Sequence, residues 1–274
     1  MGESGSRRHD QHNVVRLSSA AAPPVPPTVV RQRNLILVVL GGLAAAGWFV
    51  LLNQASHTMG GGQAMGPDLT MGGSWPLFLA MWVAMMTAMM LPAAAPMVLL
   101  YGRMHRNDPV SIGFFTGSYL GLWFAFGVIA YLLSALVEAG AARSEWITLN
   151  WGRAGGALLV LAGVYQFTPL KNVCLRQCRN PLAFVMTHWR DGRGGAVRMG
   201  LAHGAYCVGC CWLLFAILIP LGMMNIAATA AVASLVFAEK VVPHGRAVGL
   251  LAAGALIVYG AVVVAHPVLL PTVA

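Results

Sequence analysis

The sequence has little charge. Asp, Glu, Lys and Arg together make up 9% of its 274 residues, and only 8 of them are acidic. A soluble domain carries about a quarter charged residues. A chain so poor in ionisable side chains cannot cover a water-facing fold, so a soluble globular protein is excluded. With 58% hydrophobic residues and a mean hydropathy of +0.72, it reads as an integral membrane protein. No repeat of fixed period recurs. A cleaved signal peptide is not expected either: the first apolar run starts too far into the chain and is too long, so it reads as a signal anchor.

What is present is a series of long apolar runs. A helix needs ~20 apolar residues to cross a ~30 Å hydrocarbon core. Seven segments qualify in outline, at residues 35–52, 75–100, 110–136, 152–168, 197–221, 225–241 and 247–266. The expected fold is all-α, a polytopic transmembrane bundle of about seven helices, or six if the fourth or sixth is re-entrant. Basic residues divide with this count. Fifteen of the seventeen fall in the tail and in alternate loops, leaving only Arg143 and Arg153 opposite, beside Asp68, Glu138 and Glu145. Lys and Arg mark cytoplasmic loops, so the N-terminus is expected in the cytoplasm and the C-terminus outside. The protein is then multi-pass in the cell inner (plasma) membrane, with the lipid bilayer as its first partner. The charge of +9 is a topology signal, and no nucleic-acid partner is implied. Residues 1–33 hold AAAPPVPP and scattered arginines without an apolar run. They are expected to form a disordered tail, with the membrane domain at 34–268.

All five cysteines lie between residues 174 and 211. Within GAYCVGCCW, residues 204–212, a helical turn of 100° per residue puts Cys207, Cys210 and Cys211 within about a quarter turn of one another, with His203 in the same arc. Gly200 and Gly204 lie beside that stripe and allow another helix backbone to approach. A rise of ~1.5 Å per residue from residue 197 places Cys207 about 15 Å deep, near mid-membrane. Free cysteine is also a common buried hydrophobe, so simple helix packing is the competing reading.

MWVAMMTAMMLP, residues 81–92, supplies a second soft-ligand face. Met81, Met85 and Met89 form one row, and Met86, Met90 and Met97 a neighbouring one. Thioethers and thiolates both suit Cu(I), while methionine is equally an adaptable core filler. The depth count sets Met85 level with Cys207, Met81 with Cys211 and Met89 with His203, so the second and fifth helices would form a ladder if they face each other. Pro92 and Pro96 are expected to kink the second helix.

Further candidates flank the ladder. On the outer side, Met59, Met65 and Met71 recur every six residues in a Gly-rich loop with His57 and Asp68, suited to capturing a soft cation. On the inner side, Cys174 and Cys178 stand at i, i+4, close enough to chelate if helical, with His188 a further candidate. Lys171, Arg176 and Arg179 around the two cysteines are expected to favour thiolates. Glu239 is an acid at membrane depth and therefore a functional candidate; an interfacial ion pair with the neighbouring Lys240 or Arg246 is the alternative.

Taken together, MWVAMMTAMMLPAAAPM, YQFTPLKNVCLRQCRNP, GAYCVGCCW followed by PLGMMN, and EKVVPHG resemble the bacterial family of predicted metal-binding integral membrane proteins, sometimes labelled a copper chaperone. The resemblance runs from about Trp75 to Gly245. It implies metal binding without supplying a reaction, and points to Met81, Met85, Met86, Met89, Met90, Cys174, Cys178, Cys207, Cys210, Cys211, Glu239 and Lys240.

The expected function is binding of a soft metal ion, Cu(I) or another soft or borderline metal, for handling, delivery or transport, with a metal-donor or metal-acceptor protein as partner. Nothing resembles a nucleotide-binding loop or the phosphorylated aspartate of a pumping ATPase, so transport would be passive, ion-coupled or partner-driven. The alternative is a membrane thiol-disulfide oxidoreductase using Cys207/Cys210 and Cys174/Cys178, since exchange needs an accessible thiolate.

Overall fold

The computed structural model describes residues 27–58, 69–70, 74–105, 108–222 and 225–271. The chain divides into two units, Met1–Leu35 and Ile36–Ala274; of the first, residues 27–35 are described, as the opening turns of a helix. The expected tail lies mostly outside the described residues, although the first helix starts at Pro27, earlier than the apolar run itself.

The elements are helical and follow the apolar segments. They are α1 (Pro27–Thr58), α2 (Trp75–Met104), α3 (Pro109–Ala141), α4 (Glu145–Tyr165), α5 (Pro169–Arg179), α6 (Pro181–His188), α7 (Gly192–Ala216), α8 (Leu218–Leu221), α9 (Ile226–Val241) and α10 (Gly245–Ala265). Starts are set by side-chain caps and by proline, whose missing amide costs nothing in a first turn. Asp108 accepts from the amides of Val110 and Ser111 ahead of α3, Thr168 from Lys171 ahead of α5, and Asn225 from Ala228 ahead of α9. After α8 the chain turns at Gly222, whose φ of 87° suits glycine. Pro92 and Pro96 both lie inside α2, which runs through them as one helix.

Among the described residues six helices are long and apolar enough to cross a membrane: α1, α2, α3, α4, α7 continued through α8, and α10. The sixth expected crossing, α9, has 16 residues, or about 24 Å at 1.5 Å per residue, short of ~30 Å. It runs from the end of α8 to the level of Cys207, where Lys240 in its last turn meets that sulfur. At its start, Pro220 packs near Gly155 and Leu270. At its finish, the Arg179 guanidinium from α5 donates to the carbonyl oxygens of Glu239, Val242 and Pro243 at 3.1, 3.0 and 2.9 Å. α10 then runs back antiparallel to α4, with Gly163 against Ala253 near one end and Gly152 against Pro267 at the other.

α2 is the central helix. Both of its methionine rows are buried, because α1 meets it where Gly47 approaches Ala84 and Ala88, and α3, α6 and α9 close the remaining sides. α2 and α3 pair antiparallel: Tyr101 stacks on Phe115 with centroids 4.6 Å apart, and Phe78 meets Tyr131 edge-on at 5.3 Å. The Trp82 indole donates to the Trp123 carbonyl at 2.9 Å between these contacts.

α3 and α7 pack side by side and parallel. The approach that Gly200 and Gly204 permit is made by α3: Gly200 lies against the Phe115 carbonyl and Gly204 against Leu122 and Tyr119. α5 was the one element whose helicity the sequence left conditional, and it is strongly two-sided. Lys171, Cys174 and Leu175 are buried, Cys178 is half-buried, and Leu170 and Val173 face outward. That spacing lays one face of α5 on α7 and α9.

Candidate metal centre

The sulfur of Cys207 is the point at which the bundle converges. Lys240 of α9 donates from Nζ to Cys207 Sγ at 2.8 Å. Tyr119 of α3 places its hydroxyl 3.0 Å from the same sulfur, and Met90 of α2 brings its thioether sulfur to 4.0 Å. Lys240 Nζ also reaches Met90 Sδ at 4.0 Å. From α5, Cys178 packs, half-buried, against the same core that holds Cys207 and Cys210. Cys207 and Met90 are 0% exposed, Tyr119 1% and Lys240 8%, so bulk water does not compete for these groups.

The other two thiols of α7 are engaged along their own helix. Cys210 and Cys211 both donate to the Cys207 carbonyl oxygen, at 3.1 and 2.8 Å, the back-bonding usual for short polar side chains in a helix. Cys174 lies against Gly209, and an ideal Cβ built at Gly209 would stand 2.7 Å from Cys174 Sγ. The glycine in Cys207-Val208-Gly209-Cys210 is therefore what lets α5 close on α7. The Tyr165 hydroxyl donates to the carbonyl of the same glycine.

Several expected positions fall differently. The second and fifth expected helices, α2 and α7, do meet, and the sulfur contact of Cys207 is with Met90 of the neighbouring row, which the depth count does not set beside it. Met81, Met85 and Met89 are buried in the same core. His203 shares the arc of Cys207 yet is held among aromatic rings, 5.5 Å from Tyr119, 6.1 Å from Phe115 and 5.5 Å from Phe184 by centroid; its Nδ1 is buried without a partner. His188 stacks on Phe184 at 4.5 Å and does not join Cys174 and Cys178.

The partner of Glu239 is neither Lys240 nor Arg246 but Lys171, whose Nζ donates to both carboxylate oxygens at 2.8 and 2.7 Å and also to Gln166 Oε1. Both side chains of the pair are within a few per cent of complete burial. Consecutive residues on α9 thus serve different helices, Glu239 reaching α5 and Lys240 reaching α7.

The expectation of thiolates at Cys174 and Cys178 is overturned for the free protein. Burial, with the neighbouring Cys210, raises the Cys174 thiol above its usual value. Hydrogen bonds to Cys207 and Cys210, together with burial, push Cys178 well up. Two of the three cations meant to favour thiolates are used elsewhere, Lys171 on Glu239 and Arg179 on the end of α9. Met59, Met65 and Met71 lie outside the described residues. Between Met65 and Met71 in the sequence, the described Leu69 and Thr70 are tied to Glu138 at the end of α3, with Thr70 N and Oγ1 donating at 2.7 and 2.6 Å.

Among the described residues no three His, Cys, Asp or Glu side chains form a group able to hold a metal. The donors that do gather are soft: the Cys207 and Cys178 thiols and the Met90 thioether. Such a set fits a soft ion of low coordination number and not the four-ligand tetrahedron of structural zinc.

The class defined by this fold and site is a helical bundle with six helices of membrane-crossing length and apolarity, built around a buried thiol and thioether cluster with a lysine in it. The chain belongs to the PpoB2 copper chaperone family, which it matches over residues 79–263. No curated protein and no solved structure matches it.

Proposed function

We propose that the protein handles copper in a membrane by holding Cu(I) as cargo between Cys207 and Cys178, with Met90 as a supplementary thioether ligand. The observation that carries this reading is the contact of the buried Cys207 sulfur with groups from three other helices, one of them the Met90 thioether, with Cys178 of a fourth packed against the same core. Soft donors favour Cu(I) over the harder divalent ions, and membership of a copper chaperone family supports that choice of metal. The protein sits multi-pass in the inner (plasma) membrane, with its N-terminus and the basic α5 to α6 segment at the cytoplasmic face. Cys174, Cys210 and Cys211 form the second rank of soft groups around the site. Met81, Met85 and Met89 continue soft side chains along α2 toward the outer Met59, Met65 and Met71 loop, where the ion would be captured. His203 supports the site from below by packing, and Glu239 acts through Lys171. A metal-donor or metal-acceptor protein completes delivery.

A Cu(I) titration of the purified protein against a chromophoric competitor tests this reading. The wild-type chain should bind Cu(I), and Cys207→Ser should abolish tight binding. Cys178→Ser should weaken it by at least tenfold. Unchanged stoichiometry and affinity in Cys207→Ser would sink the proposal.

A further inference from the structure

The cluster holds a charge that a neutral ligand set does not account for. Lys240 is buried, and among the described residues its hydrogen bonds go to Cys207 and Met90. The carboxylate next to it in sequence, Glu239, is already held through both oxygens by Lys171. A buried ammonium is costly unless an anion balances it. In this site that anion has to come from sulfur.

We propose that Lys240 is the counter-cation of the loaded site and sets its preference for a monovalent over a divalent metal. The inference rests on the Cu(I) reading above and concerns charge. Binding forms two thiolate bonds to the metal: Cys207, which already supplies the charge opposite the ammonium, loses no proton, and Cys178 releases one. A monovalent ion on two thiolates leaves one net negative charge, which the ammonium 2.8 Å from Cys207 Sγ cancels inside an apolar bundle. A divalent ion on the same two thiolates is already neutral, so the ammonium stays buried and unpaired. Lys240 is thus a specificity-determining residue that needs no bond to the metal. Its place on α9 is fixed from both sides: Arg179 grips the carbonyls at the end of that helix, and Lys171 holds the preceding residue.

The experiment measures Cu(I) and Zn(II) affinities by chelator competition on the full chain in detergent or nanodiscs, for wild type, Lys240→Met, Lys240→Gln, Lys240→Arg and Cys207→Ser. Losing a buried charge partner amounts to about a hundredfold or more. Lys240→Met should therefore weaken Cu(I) by about that factor without weakening Zn(II), and Lys240→Gln should repeat the result if the Met variant does not fold. Lys240→Arg keeps the charge and should keep the Cu(I)-to-Zn(II) preference within a few-fold, which a merely structural lysine would not predict. An unchanged preference in the neutral variants overturns the inference. So does tighter Cu(I) binding, which would make Lys240 a competitor for the sulfurs. If Cys207→Ser leaves both affinities intact, the metal site itself is misplaced and this inference falls with it. A loss in Cys207→Ser alongside an unchanged preference in Lys240→Met sinks the charge argument alone.

Discussion

Lys171 and Glu239 stand 2.7 Å apart in an ion pair that joins α5 to α9, with both side chains almost fully excluded from solvent. The pair lies one residue from Lys240, so the geometry of the sulfur cluster depends on it. Gln166 accepts from the same ammonium, which leaves each charge of the pair hydrogen-bonded.

Removing one partner of this pair is expected to be far worse than removing both. Lys171→Met leaves a buried carboxylate without its cation and should destabilise the fold by about 3–5 kcal/mol. Lys171→Met with Glu239→Leu should recover most of that loss, since replacing a buried ion pair by apolar side chains is often neutral. Denaturant or thermal unfolding of the detergent-solubilised variants checks this. Equal destabilisation in the single and double variants would contradict it.

Gly209 gives a prediction about packing. A methyl group there meets Cys174 Sγ at 2.7 Å, so Gly209→Ala should lose stability through overpacking, by about 1–3 kcal/mol, offset by about 1 kcal/mol of helix propensity. Replacing Cys174 by Ala in the same chain removes the sulfur and should restore the loss. A Gly209→Ala variant more stable than wild type, or one whose stability Cys174→Ala does not raise, would show that α5 does not close on α7 in this way.

The inner cysteines give a pH dependence. The Cys174 and Cys178 thiols both titrate above the usual 9.0 in the folded protein, so the fold retains their protons more tightly than the unfolded chain does. Their contribution is fully present below pH 9.0 and is lost as pH rises from there through the folded values. Iodoacetamide should accordingly label Cys178 at pH 8 more slowly than an unperturbed thiol, since the thiolate is the nucleophile. The rate should rise only above pH 9 and should reach that of a free thiol after denaturation. Fast labelling at pH 8 would mean an accessible thiolate, as disulfide exchange requires, and would favour the oxidoreductase alternative.

Much of the architecture was legible in the residues. The apolar segments correspond to the helices, including α9, and the close approach at Gly200 and Gly204 is made. The stripe of Cys207, Cys210 and Cys211 is a real face, buried throughout. The site was legible only in part. Which methionine stands against Cys207 could not be read from depth alone, because a rise per residue carries no information on how α2 and α7 are rotated toward each other. The chelating pair Cys174 and Cys178 divides between Gly209 and Cys207, since at i, i+4 the two thiols share a face but need not share a partner. Lys240 and Met90 were visible through the family resemblance, whereas Tyr119 gave no signal in a helix rich in aromatics.

Composition and the length of the apolar runs point to long helices, because an apolar run of ~20 residues satisfies its whole backbone within itself as a helix. Which side chains meet is decided by the tertiary structure. α2 is buried on both methionine rows and α7 is apolar on most sides, so neither carries the one-sided periodicity that orients a helix. Their rotation and register come from close contacts at glycines and from the charged side chains that must find partners within the bundle. Those requirements bring Lys171 to Glu239 and Lys240 to Cys207.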